Sequence, residues 1–222
     1  MRSFSDILKI AADRKGGVDA VLANVPKPLT PDALAAIPDS RWLAQMARGI
    51  FQAGISWSVV EAKWPEIEQA FHGFDISRVA MIEGDALHDL FSDRRVIRSP
   101  PKIIAIRDNA VFISQVARAH GAFGRRIGDW PADDFAGLLA WLGKEGSRLG
   151  GATGPYMLRA MGKESFILTR DVQARLVAEG VIEGPASSAK AMRAIQAAFN
   201  AWAAESGQSL TTISRVLAQS IG

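Results

Sequence analysis

Apolar residues recur along the chain every three or four positions, the spacing of one face of an α-helix, and a strand-like alternation is not evident. Phe4, Ile7, Leu8 and Ala11 make the first such stripe, which Gly16 and Gly17 end. Residues 18–24 read as a short helix, and Val25-Pro-Lys-Pro28 as extended chain, because a residue before proline is pushed out of the helical region. Thr30-Pro31 is a cap-plus-proline start. Trp42, Met46 and Ile50 share one face of a longer helix and read as core; Gly54 breaks it, and Ser56 is the expected cap of a successor over residues 59–63. Ile103, Ile104, Ile106, Val111, Ile113 and Val116 surround their segment almost completely, which predicts a central buried helix with Arg107 and Asp108 as its polar edge. Asp129 is the expected cap of a helix carrying Leu138, Leu139, Trp141 and Leu142. Three more stripes follow: Val172, Leu176 and Val177; then Met192, Ile195, Phe199 and Trp202; and lastly Leu210, Ile213 and Leu217. The fold class predicted is all-α.

Composition narrows the chemistry. With 222 residues, 48% of them hydrophobic and 22% charged, the chain can build one sizeable domain or two small lobes sharing a core. No repeat, low-complexity tract or linker divides it. A net charge of +3 permits an anionic partner without requiring one. The absence of cysteine excludes a disulfide framework, a thiolate nucleophile and a cysteine zinc site. His72, His88 and His120 lie too far apart for a ligand motif, so neither a metal nor another cofactor is expected. No apolar run is long enough for a signal peptide or a membrane span, which makes a cytoplasmic location the expectation.

Two stretches carry candidate chemistry. Between Arg148 and Gly162, the glycines Gly150, Gly151 and Gly154 crowd one turn, and Pro155 is expected at the first helical position. Such a turn offers bare backbone N–H groups at the positive end of a helix, which suits a phosphate; the plainer reading is an ordinary helix–helix connection. Upstream, Arg94, Arg95, Arg98 and Lys102 gather beside Pro100-Pro101, either as a solvated loop or as phosphate contacts.

The heptapeptide Phe51-Gln-Ala-Gly-Ile-Ser-Trp57 closely resembles the Phe-Gln-Ala-Gly-Leu-Ser-Trp signature of the DNA-3-methyladenine glycosylase I family. The similarity continues through Phe71-His-Gly-Phe-Asp75 and Val96-Ile-Arg-Ser-Pro-Pro-Lys-Ile103. It extends more weakly to Leu149-Gly-Gly-Ala-Thr-Gly-Pro155, which resembles the hairpin of the helix-hairpin-helix DNA glycosylase superfamily. The resemblance implies a two-lobed helix-hairpin-helix fold, with residues 1–222 a single glycosylase unit in which the middle of the chain forms one lobe and both ends combine in the other. It implies a monomeric base-excision repair enzyme that hydrolyses the N-glycosidic bond of a damaged, alkylated base flipped out of double-stranded DNA.

On that resemblance Trp57 and Phe51 belong to the base pocket, and Ile55, at the tip of its turn, can act as an apolar wedge in the vacated stack. Gly150, Gly151, Thr153 and Gly154, with Arg94, Arg95, Arg98 and Lys102, would hold the DNA backbone. Asp171 falls near the superfamily's catalytic aspartate, behind Thr169 as an expected helix cap. The structural alternatives are that Ile55 and Trp57 pack between helices and that Asp171 only stabilises a helix start. At the level of the whole protein, the alternatives are a DNA-binding module without catalysis and a helical interaction protein with no DNA role.

The chain also departs from the family it resembles. Gly49 stands where the family carries a glutamate that recognises the methylated adenine. The N-terminal Tyr-His-Asp segment is missing, and without cysteine the family's zinc set cannot form.

Overall fold

The computed structural model describes residues 1–221, and among these the regular elements are helices, without strands. In chain order they are α1 (Phe4–Lys15), α2 (Val18–Leu22), α3 (Pro31–Ala35), α4 (Asp39–Gln52), α5 (Trp57–Ala70), α6 (Ile76–Ala80) and α7 (Gly84–Ser92). Then follow α8 (Pro100–His120), α9 (Phe123–Asp129), α10 (Phe135–Glu145), α11 (Thr153–Ala160), α12 (Arg170–Ala178), α13 (Ala189–Ser206) and α14 (Leu210–Gln219). Short 3₁₀ turns occupy His72–Phe74 and Ala132–Asp134. The chain divides into two compact units: Met1–Leu29 with Trp130–Gly137 and Gly162–Gly222, and Thr30–Asp129 with Leu138–Met161.

In the unit formed by the middle of the chain, α8 is the central element, burying Ile103, Ile106, Asn109, Ala110 and Ile113 completely. Its all-round apolar pattern is thus met by neighbours on most sides, though Ile104 and Val111 are only half-buried. The α4 stripe of Trp42, Met46 and Ile50 is core, as its spacing predicts. Trp42 meets Phe123 edge to face at 5.5 Å between ring centroids. Helix α9 buries Phe123 and Ile127 one turn apart, and its glycines allow backbone to pack on backbone beside them. A β-carbon at Gly128 would lie 2.7 Å from the Pro31 carbonyl oxygen, and one at Gly124 would collide with that of Leu34. Asp129 therefore ends α9, pairing with Arg125 at 3.3 Å, and does not cap α10.

In the other unit, Asp134 takes the capping role expected of Asp129, accepting a hydrogen bond from the Gly137 backbone N–H at 3.2 Å. The core there is an aromatic row. Phe135 meets Phe166 at 4.8 Å, Phe166 stacks on Phe199 at 4.5 Å, and Phe199 meets Trp202 at 5.8 Å. A buried polar network joins both ends of the chain to α12. The Arg2 backbone N–H and guanidinium each donate to Glu179 at 2.8 Å. Arg175 donates to Glu179 at 3.2 Å, and to the Ser220 hydroxyl and carbonyl at 2.8 and 2.7 Å. Burial alone would push the Glu179 carboxyl up, but the Arg2 N–H, the Arg2 guanidinium and Arg175 together hold it below the ordinary glutamate value.

Candidate nucleic-acid interface

The middle unit brings segments far apart in the sequence together, beginning at the turn between α4 and α5. Gly54 has φ +79°, a left-handed conformation that a side chain would strain, so glycine lets α4 end and α5 start within four residues. Lys102, in the first turn of α8, reaches back to this turn and donates to the carbonyls of Phe51 at 3.0 Å and Ala53 at 2.6 Å. Those carbonyls are orphaned by the helix end, and the ammonium satisfies them. Burial, and then the positive charge of Arg148, lower the Lys102 pKa. Lys102 is therefore a clamp on the turn, a role that sequence reasoning did not foresee beside its expected place among the phosphate contacts.

The turn sorts the signature residues. Phe51 is fully buried, so it packs in the core and presents no face to a base, which corrects its expected place in the pocket. Ile55 is half-buried at the turn. Trp57, the first residue of α5, is 58% exposed. Its ring meets Tyr156 of α11 edge to face, 6.2 Å between centroids, and Tyr156 is itself 41% exposed. Large aromatics left open in this way are unusual on a soluble surface. Ser56 occupies the cap position of α5, but its hydroxyl bonds to that of Ser58 at 2.8 Å and leaves the helix N–H groups uncapped.

The hairpin between α10 and α11 spans residues 146–152. The glycines at its two ends are sterically required: a β-carbon at Gly154, just inside α11, would sit 2.6 Å from the Leu149 carbonyl oxygen, and one at Gly146 2.8 Å from that of Leu142, whereas one at Gly150 would meet no close neighbour. Gly151 is left-handed at φ +60°. Helix α11 begins at Thr153, so Pro155 is its third residue rather than its first; it still lies in the first turn, where a missing N–H costs no bond. Thr153 packs on α4, its Cγ2 3.1 Å from where a β-carbon on Gly49 would stand. Asn109 of α8, fully buried, donates from its side-chain amide to the Ser147 carbonyl and accepts from the Ser147 N–H, each at 2.9 Å. Sequence reasoning missed Asn109; the available signal was a polar residue at the spacing of the buried face, three positions after Ile106 and four before Ile113.

The basic residues divide by their neighbours. Arg95 is held by Asp93, with its Nη2 at 2.7 Å and its Nε at 3.0 Å from Oδ2. Arg94 and Arg98 are exposed, and their side chains have no acidic partner among the described residues. Asp171 lies in the other unit, as the second residue of α12, behind Thr169, whose hydroxyl accepts from the Val172 N–H at 3.2 Å. Its carboxylate is exposed and makes no hydrogen bond or ion pair among the described residues.

Residues 37–132 match the family model described as methyladenine glycosylase. Among solved structures, 3-methyladenine DNA glycosylase I from Staphylococcus aureus aligns at 20% identity with a TM-score of 0.51, covering 69% of this chain and 91% of its own. A tyrosine-to-phenylalanine variant of a 3-methyladenine DNA glycosylase I in complex with 3-methyladenine aligns at 22% identity and TM-score 0.51, covering 64% and 83%. A further 3-methyladenine DNA glycosylase I aligns at 24% identity and TM-score 0.50, covering 64% and 86%. At these identities the structural likeness establishes the shared all-α fold.

Proposed function

We propose that this chain, which belongs through residues 37–132 to the methyladenine glycosylase family, releases an alkylated purine from duplex DNA by using Trp57 as the stacking surface for the extruded base. It is a DNA glycosylase of base-excision repair, and DNA is its substrate. The observation that carries the finer reading is the open Trp57–Tyr156 pair beside the Gly54 turn. A base has two apolar faces and polar edges, so an exposed aromatic ring recovers the stacking energy lost on extrusion, about 1–3 kcal/mol per base. Ile55, at the adjacent turn, is the apolar side chain placed to enter the gap.

Recognition of the lesion must differ from the glutamate contact of the resembled family. Even a β-carbon at position 49 would press on the Thr153 methyl group, so a carboxylate there requires the Thr153 side chain to give way. The exposed hairpin backbone at Gly151 and Ala152, with Arg94 and Arg98, makes the backbone contacts, whereas Gly154 is buried and only shapes the turn; the protein acts as a monomer.

The test is chromatographic measurement of base release from methylated and from deaminated duplexes. Release of a methylated purine by the wild type, reduced at least roughly tenfold in Trp57→Ala, is the expected result. Wild-type rates in Trp57→Ala would remove the stacking role. Duplex affinity should also fall with salt by about 0.9 log units per log unit for each neutralised phosphate, and a flat response in a filter-binding titration would remove the backbone contacts altogether.

A further inference from the structure

We propose that Arg148 is a preorganised contact for a DNA phosphate at the entrance of the hairpin, an assignment that rests on the DNA-glycosylase reading. Its backbone is left-handed, at φ +58°. Side chains other than glycine and asparagine adopt that conformation at a cost, because the β-carbon crowds the following carbonyl. Glycine is plentiful nearby, at Gly146, Gly150 and Gly151, yet position 148 carries an arginine. Strain of this kind persists where the surroundings impose it and where the side chain has a use.

Both conditions are met. On one side, Asn109 fixes the Ser147 peptide through two 2.9 Å hydrogen bonds, and on the other Leu149 is fully buried, so residue 148 is held between two anchored neighbours. Its side chain is exposed and has no acidic partner among the described residues. Like Arg94 and Arg98 it is left open, whereas Arg41 is occupied by Glu68, Arg95 by Asp93, Arg125 by Asp32 and Asp129, and Arg107 by Glu83 and Asp108. Arg148 lies near enough to Lys102 for its positive charge to help lower the pKa of that ammonium, after burial. Two cations held close without a counter-charge favour an incoming anion. A planar guanidinium fork matches two phosphate oxygens, and the fixed backbone removes part of the ordering cost of making that contact.

The test is Arg148→Gly, because its two effects have opposite signs. Glycine relieves the left-handed strain, so the melting temperature should rise by a few degrees. Affinity for undamaged duplex, measured by fluorescence anisotropy at about 0.1 M salt, should fall roughly tenfold, and the salt slope should drop by about 0.9. Arg148→Lys, which keeps the charge but not the fork, should retain the slope and lose part of the affinity. Wild-type affinity and slope in Arg148→Gly would overturn the proposal, leaving a solvated arginine in a strained turn. Inorganic phosphate that competes with duplex beyond its ionic strength, in wild type but not in Arg148→Gly, would instead assign the site to free phosphate. Failure of the glycosylase reading looks different: salt-dependent binding that responds to Arg148→Gly, with no base released from any duplex.

Discussion

Asp171→Asn is expected to cut base release at least about a hundredfold while leaving folding and duplex affinity nearly unchanged, the scale of a lost acid–base or electrostatic group. Breaking an N-glycosidic bond builds positive charge on the deoxyribose, so a fixed carboxylate beside the sugar stabilises the transition state more than the ground state. The same group can orient or deprotonate the attacking water. Asp171 stands in the first turn of α12, and no hydrogen bond or ion pair with a described residue occupies it. An acid in that turn is also worth about 0.3–1 kcal/mol to the helix alone, so a small fall in stability accompanies either role. Only the rate separates them. Base release at the wild-type rate from Asp171→Asn would reduce Asp171 to a helix-start residue and leave the chemistry to the surroundings of Trp57.

Glu179→Gln is expected to destabilise the fold by about 3–5 kcal/mol, because it removes the carboxylate that neutralises a buried guanidinium. The side chains of Arg175 and Glu179 are 7% and 1% exposed, so water cannot replace what is lost. Both chain ends lose an anchor together, since Arg2 and Ser220 are held by the same pair. For a chain of this length the melting temperature should fall by on the order of ten degrees. The pH dependence has a definite sign. Because the folded carboxyl sits below its ordinary value of 4.5, its stabilisation is complete above that value and is lost as pH falls through the lower folded one. Thermal melts of the wild type should therefore weaken on acidification below about pH 4.5, and the Gln variant should lose that component. An unchanged melting temperature in Glu179→Gln would show that the network contributes no net stability.

The helical class was readable from sequence because a 3.6-residue period is a local property: Trp42, Met46 and Ile50 could bury themselves only as one face of a helix. The Gly54 turn with Trp57 behind it was readable for the same reason, a short string whose geometry its own residues impose. Helix α9 was not, since it depends on Gly124 and Gly128 meeting the backbone of α3 some ninety residues earlier. Nor could pattern separate Phe51 from Trp57, two aromatics of one heptapeptide, of which the packing of α4 buries the first and the turn exposes the second. Lys102 and Arg98 carry the same charge four positions apart; only the folded path puts the Phe51 and Ala53 carbonyls within reach of one of them. The Asn109–Ser147 bonds span 38 positions. Period and turn chemistry act between near neighbours along the chain, whereas burial, pairing and the direction a charge faces are set by groups that meet only once the helices have packed.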